Sequence, residues 1–218
     1  MKRLPLTVFI VLSLVTGAVG AASWGYLRSQ SATVADASPP VTDTSPPEEE
    51  FGGSFSLIDQ FGMRRTDMEF RGRYMLIFFG YTYCPDVCPT TLAVQAEALD
   101  KIGARAGRIV PIFITVDPKR DTPDQLKSYL SAFEARPPSS RPNFIGLTGT
   151  DEEIAKVAEA YRVYYRAHID GRSAIGYSVD HTGDVYLMNP EGKFVAYYSQ
   201  GILPDELAAD LMLKIPPG

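Results

Sequence analysis

The stretch from Met75 to Leu92, Met-Leu-Ile-Phe-Phe-Gly-Tyr-Thr-Tyr-Cys-Pro-Asp-Val-Cys-Pro-Thr-Thr-Leu, constrains this chain more than any other. The apolar run Met75 to Phe79 has the length and composition of a buried strand. Gly80 ends it, and a short loop then delivers Cys84 and Cys88, the only two cysteines present. Pro89 suits the first turn of a helix, and Leu92 to Ile102 carries helical spacing. Three residues separate the cysteines, so a helical turn puts both sulfurs on one face, about 6 Å apart at Cβ. A helix N-terminus favours negative charge, which lowers a thiol pKa from its free value of about 8.5. Thiolates are soft metal ligands and also the nucleophiles of disulfide exchange.

Two structural readings compete with a site. A disulfide staple here would close a loop of only three residues, and the entropic benefit of so small a loop is slight. Inert core thiols rarely sit beside Pro85 and Asp86 in a strand-to-helix loop. The loop therefore reads as a site.

The first 50 residues have a different character. Lys2 and Arg3 precede a span, Leu4 to Leu27, whose only ionisable side chain is Tyr26. Its 24 residues exceed the roughly 20 that cross a bilayer core. The leading charges favour a cytoplasmic N-terminus, and Trp24 and Tyr26 suit the membrane interface. Residues 1–28 thus read as a transmembrane anchor, with a cleaved signal peptide as the competitor, since small residues at 18–22 offer a cleavage site. Either reading exports the rest of the chain. The expected location is the bacterial inner membrane, with the soluble domain on the periplasmic side. Residues 29–50, rich in Pro and Glu, read as an extended linker.

Residues 51–218 have the composition of one globular domain. Outside positions 1–50 the chain carries 18 Lys+Arg against 21 Asp+Glu. Nothing there resembles the concentrated basic surface that nucleic acid requires. Ser54–Ile58 and Thr66–Phe70 suggest a hairpin turning at residues 59–62. Ile109–Val116 reads as a second buried strand, and Thr122-Pro123 opens a helix to Phe133. A short apolar segment follows at Phe144–Leu147, and Thr150 with Glu153 forms a capping box leading a helix to Tyr161. Val185–Met188 and Lys193–Tyr198 form a hairpin, and Pro204 opens a last helix. This order indicates an α/β sandwich, with a mixed central sheet flanked by helices and an N-terminal hairpin. A CxxxC at the end of the first central strand matches the thioredoxin-like plan.

The chain has two histidines. His168 lies in a turn-like segment and reads as a solvated surface residue. His181 directly precedes the Val185–Met188 strand, and in thioredoxin-like folds the loop entering that strand faces the cysteines. It is placed to complete a ligand set. Two thiolates and an imidazole fit copper, and zinc would fit the same atoms with a fourth ligand or a water. Asp86 and Asp180 read either as groups that orient the ligands or dock a partner or, for Asp86, as a plain turn residue. Asp117 and Asp121 are expected to shape the loop before Thr122, and Met75 and Met188 to lie in the core.

Three segments together resemble the Sco/SenC family. They are Phe79 to Leu92, Thr115 to Pro123 (Thr-Val-Asp-Pro-Lys-Arg-Asp-Thr-Pro), and Asp180 to Gly192 (Asp-His-Thr-Gly-Asp-Val-Tyr-Leu-Met-Asn-Pro-Glu-Gly). The family comprises membrane-anchored, thioredoxin-fold copper chaperones for cytochrome c oxidase assembly. The resemblance implies copper, as Cu(I) or Cu(II), bound by Cys84, Cys88 and His181. It implies delivery to the CuA-bearing oxidase subunit, with other periplasmic copper chaperones as further partners. Tyr83 falls at a position variable in the family.

The rival class is an extracytoplasmic thiol–disulfide oxidoreductase in which Cys84 and Cys88 form a redox-active disulfide, keeping the oxidase copper-site cysteines reduced. Against it, the usual redox motif spaces its cysteines by two residues, and a histidine opposite the pair adds little to exchange. A peroxiredoxin would carry Thr or Ser where Tyr81 stands. A glutathione-peroxidase-like site would hold a tryptophan, but the sole Trp24 lies in the anchor.

Overall fold

The computed structural model describes residues 51–217, apart from 136, 138, 140 and 170–175. The expected anchor and linker lie outside the described residues. Among the described residues, no helix is long and apolar enough to cross a membrane.

The apolar runs fold as the centre of the molecule. Strands β3 (Tyr74–Gly80) and β4 (Ile109–Thr115) pair in parallel from Tyr74↔Ile109 to Gly80↔Thr115. All seven residues of β4 are buried, as a strand covered on both faces requires. Beyond β4 lie parallel β5 (Ile145–Thr148), antiparallel β1 (Ser56–Asp59) and then β2 (Arg64–Thr66). On the other side β3 pairs antiparallel with β8 (Val185–Met188), which pairs with β9 (Phe194–Tyr198). The seven-stranded order is β2-β1-β5-β4-β3-β8-β9, a mixed sheet of the expected kind. Met75 and Met188 are buried across from each other on β3 and β8.

Among the described residues four α-helices accompany the sheet: α1 (Val87–Lys101), α2 (Pro123–Leu130), α3 (Asp151–Ala160) and α4 (Pro204–Lys214). Helix α1 packs on α4, and α2 packs on β5. The α2–β5 approach is close because Gly146 has no side chain; a Cβ there would stand 2.6 Å from Leu130 Cδ1. Thr122 caps α2, its hydroxyl accepting from Gln125 N. The capping box of α3 is present, Thr150 Oγ1 accepting from Glu153 N and Glu153 Oε2 accepting from Thr150 N.

Three local expectations change. The second strand of the first hairpin runs 64–66, and residues 67–70 form a 3-10 turn instead of extending it. The cause is visible: Glu69 Oε1 accepts from Thr66 N, a helix-type cap the strand pattern concealed. Helix α1 begins at Val87, so Cys88 already lies in its first turn. Finally, β6 (Tyr165–His168) and β7 (Ser178–His181) form a separate two-stranded antiparallel sheet that the sequence pattern did not suggest. Three of the four β6 residues in a row are exposed, so the strand carries no period-2 signal.

Candidate metal centre

The site stands where β3 ends. Gly80 closes the strand, and Cys84 N donates to Tyr81 O at 3.2 Å, folding the loop back over the strand end. A Cβ at Gly80 would meet both Cys88 Sγ and the Phe113 ring at 2.9 Å, so only glycine lets the sulfur lie against the backbone there. Cys88 is fully buried and Cys84 half-buried, and the two are free thiols. Pro89 occupies the third position of α1, inside the first turn, where its missing N–H removes no intrahelical bond.

His181 arrives from the opposite side. It is the last residue of β7, and the loop after it enters β8, whose Val185 pairs with Phe78 of β3. This puts its Nε2 3.4 Å from Cys88 Sγ. Nδ1 lies 2.9 Å from Thr182 O, a bond that requires the proton on Nδ1 and leaves the Nε2 lone pair aimed at the sulfurs. Tyr81 and Phe78 meet the imidazole edge-on, at 5.8 and 6.2 Å between ring centroids, and fix its plane. Candidate ligand atoms of Cys84, Cys88 and His181 all lie within 4.8 Å of one another. The three residues singled out from the sequence thus converge on one point.

The two thiols are electrostatically unequal. Cys84 Sγ is hydrogen-bonded by the Cys88 side chain and by the N–H groups of Cys88 and Asp86, which outweigh its burial and draw its pKa down to about 4. Cys88 is driven upward, by its hydrogen bond to Cys84 and by burial. The outer sulfur is therefore the readier thiolate.

Asp121 holds the cysteine loop. Its fully buried carboxylate accepts from Thr82 N at 3.0 Å, Thr82 Oγ1 at 2.6 Å and Thr115 Oγ1 at 2.6 Å. A second tie joins the cysteine loop to the histidine strand. The Arg120 guanidinium stacks 3.7 Å from the Tyr177 ring and 4.8 Å from the Tyr83 ring, and its Nη1 donates to Tyr177 O at 3.0 Å. Arg120 Nε also donates to Asp117, and Tyr177 Oη donates to Asp117 Oδ1 at 2.6 Å. Asp117 and Asp121 do shape their loop, as expected, and they also reach the site's neighbours. Arg120 and Tyr177 escaped sequence reading, because nothing in a single chain signals a stack between residues 57 apart.

Of the roles expected of Asp180, orienting His181 fails: it alternates to the other side of β7, is 70% exposed, and lies 3.3 Å from His168. His168 is accordingly not simply solvated, since it also contacts Ser178 Oγ at 2.8 Å. Asp86 stands at the N-cap of α1 without a side-chain cap bond, its carboxylate reaching Thr90 Oγ1 at 3.5 Å, so the turn reading describes it.

Comparison with known proteins gives a consistent result. The SCO1/SenC family model matches residues 43–215. The Protein sco1 of Schizosaccharomyces pombe is 42% identical over 162 residues, covering 73% of this chain and 59% of that protein. The chain spans about half to three fifths of the length of such curated relatives. Among solved structures, Arabidopsis thaliana ScoI with copper bound is 42% identical, with TM-score 0.67, covering 74% of this chain and 95% of that one. Bradyrhizobium japonicum ScoI with copper bound is 45% identical, with TM-score 0.64 and coverage of 74% and 97%. With the family match spanning the whole folded domain and these relatives sharing its fold, the chain belongs to the SCO1/SenC family.

Proposed function

We propose that this protein is a copper metallochaperone of cytochrome c oxidase assembly. It carries one copper ion as cargo between Cys84, Cys88 and His181 and delivers it to the CuA centre. The observation that carries the reading is the convergence of two thiols and one correctly tautomerised imidazole within 4.8 Å. The copper-bound structures of the Arabidopsis and Bradyrhizobium relatives support it. In this reading residues 1–28 anchor the chain in the bacterial inner membrane, and residues 29–50 hold the domain on the periplasmic side. Its partners there are the oxidase subunit carrying CuA and other periplasmic copper chaperones.

The donor set suits such a cargo. Two thiolates satisfy copper(I), and the imidazole adds the borderline donor that copper(II) favours. Transfer is a ligand exchange in which no electron moves. Each acceptor thiol releases its proton as it takes the ion, and each donor sulfur regains one from solvent. The half-buried Cys84 is the sulfur an acceptor meets first.

A second reading, thiol–disulfide exchange, has one observation in its favour: Cys84 is an accessible, low-pKa thiol next to a partner thiol. Binding and exchange separate at His181, which a disulfide exchanger does not need. In cells lacking the protein and grown at limiting copper, His181→Ala is expected to fail to restore oxidase activity. Its dithiol should still exchange disulfides in vitro. Full rescue by His181→Ala without bound copper would move the function to exchange. A Cys84→Ser, Cys88→Ser double variant that still holds one copper per chain would remove the site altogether.

A further inference from the structure

Tyr81 sits among the three candidate ligands. It follows Gly80 at the end of β3 and is only 4% exposed. Its carbonyl accepts from Cys84 N at 3.2 Å, and its own N–H donates to Cys88 Sγ. Its ring stands 5.8 Å from the His181 imidazole, with 88° between the two planes. Backbone thus meets the sulfurs, and side chain meets the nitrogen donor.

The phenol hydroxyl reaches the histidine strand as well. Thr182 N donates to Tyr164 O, so Tyr164 and Thr182 form a hydrogen-bonded pair at the base of the β6–β7 ribbon. Such pairs alternate along an antiparallel ladder, which makes Ala167↔Val179 a pair without ladder bonds and turns the Val179 N–H away from β6. That N–H donates to the Tyr81 hydroxyl. Val179 is buried and lies two residues before His181, so both side chains share one face of β7. A phenylalanine would fill the same space and leave the Val179 N–H without this acceptor.

The geometry points to Tyr81 as the positioning residue of the metal centre: its backbone seats the two sulfurs, and its ring and hydroxyl set where the imidazole stands relative to them. This inference rests on the reading of Cys84, Cys88 and His181 as ligands of a copper cargo. The division within one residue makes its effect selective. Two thiolates alone satisfy copper(I), whereas copper(II) leans on the imidazole. A change confined to the side chain of Tyr81 therefore acts on copper(II) and spares copper(I). Tyr81→Phe keeps the ring and drops the tie to Val179, and Tyr81→Leu drops both.

The test uses the reduced full-length chain in detergent, titrated with copper(I) and with copper(II) against chelators of known affinity. Thiolate-to-copper(II) charge-transfer absorbance and electron paramagnetic resonance report the copper(II) geometry. Tyr81→Phe should weaken copper(II) about fivefold, the effect of one lost hydrogen bond, and leave copper(I) within about twofold. Tyr81→Leu should weaken copper(II) by more than about tenfold, since the ring contact goes too, and should shift both copper(II) spectra. Alkylation of Cys84 in the metal-free protein should keep its rate, because the backbone contacts of residue 81 remain. In a His181→Ala background Tyr81→Phe should change copper(II) affinity no further, as a residue acting through the imidazole requires. If Tyr81→Leu does not fold, Tyr81→Phe and its combination with His181→Ala decide alone. Equal losses for both oxidation states would make Tyr81 a plain core residue and overturn the assignment. So would a Tyr81→Phe effect that persists without His181, or affinities and spectra that do not move in either variant. Wild-type copper(II) binding by His181→Ala would fell the ligand reading itself, and the role of Tyr81 with it. A protein that meets every binding expectation yet delivers no copper to an oxidase would strike the chaperone reading and leave the role of Tyr81 standing.

Discussion

The two arms of the site differ in how much of the fold stands behind them. The cysteines leave β3, which is paired on both sides and lies next to the wholly buried β4. His181 ends β7, which among the described residues is paired only to β6, and three of the four β6 residues are exposed. An isolated two-stranded ribbon is marginally stable in water. The histidine strand is therefore held chiefly by what it touches: the buried Val179, the Arg120–Tyr177 stack and two hydrogen bonds between Tyr164 and Thr182. The difference teaches that the sulfurs rest on the central sheet, whereas the imidazole rests on a small ribbon and its side-chain ties. Such a division suits a carrier that must both take an ion and release it, because two thiolates alone satisfy copper(I) while copper(II) leans on the imidazole.

The largest test strikes the common foundation. Phe113 lies at the centre of β4, fully buried, with its ring 6.0 Å from Phe78 and 5.9 Å from Tyr129. Phe113→Ala should cost about 3–5 kcal/mol, the usual range for a truncated core aromatic. Urea denaturation should show it, with both arms lost in one transition. A histidine hairpin that melts separately from the sheet in the wild type would make the arms independent and break the comparison as drawn.

The second test loosens the cysteine arm alone. Asp121→Ala leaves Thr82 N, Thr82 Oγ1 and Thr115 Oγ1 without their acceptor. Losing this buried set should cost on the order of 3 kcal/mol. Alkylation of Cys84 in the reduced, metal-free protein should change rate, because the loop that presents its sulfur is no longer pinned. An unaltered stability and alkylation rate would show that β3 and α1 hold the loop without Asp121.

The third test loosens the histidine arm. Arg120→Ala removes the stack on Tyr83 and Tyr177 and the bond to Tyr177 O. The stability loss should be about 2 kcal/mol, within the range of a partly buried cation–π contact and its hydrogen bonds. Copper(II) affinity should fall more than copper(I) affinity, since only the former leans on the imidazole. Arg120→Lys should not restore it, because an ammonium cannot stack flat between two rings. Equal losses for both oxidation states would mean that Arg120 supports the sulfurs as strongly as the histidine.

This asymmetry also explains what the sequence disclosed. The cysteine arm was legible because its parts are contiguous: an apolar run, a glycine, a CxxxC and a helix start fall within 18 residues. The fold class followed from the order of such segments, and α3 from its local capping box. His181 was reached through its position before a recognisable strand. Apart from the 3-10 turn at 67–70, the parts that failed or were missed are non-local. The β6–β7 pairing, the Arg120–Tyr177 stack and the Asp121–Thr82 bonds join residues 39 or 57 apart, or strands without alternation. The alternation of β7 also decided the fate of Asp180, since once Ser178–His181 is a strand, residues 180 and 181 cannot face the same way.

The smallest test asks whether every contact on the histidine hairpin matters, or only those at its base. His168 pairs with Ser178 in the register, while Tyr165 pairs with His181, so His168 sits three residues away along the ribbon. At about 3.4 Å per residue this is roughly 10 Å from the imidazole. Its contact with Asp180 joins side chains that are 47% and 70% exposed, and even a charged pair of that kind contributes at most about 1 kcal/mol. His168→Ala should therefore shift stability by less than about 0.5 kcal/mol and leave copper binding in both oxidation states unchanged. Asp180→Asn should behave alike, which separates it from Arg120→Ala although Asp180 is the sequence neighbour of His181. If either substitution weakened copper(II) as strongly as Arg120→Ala does, the hairpin would act as a single lever. Its exposed end would then belong to the machinery that positions His181, and the histidine arm would extend well beyond the Arg120 stack.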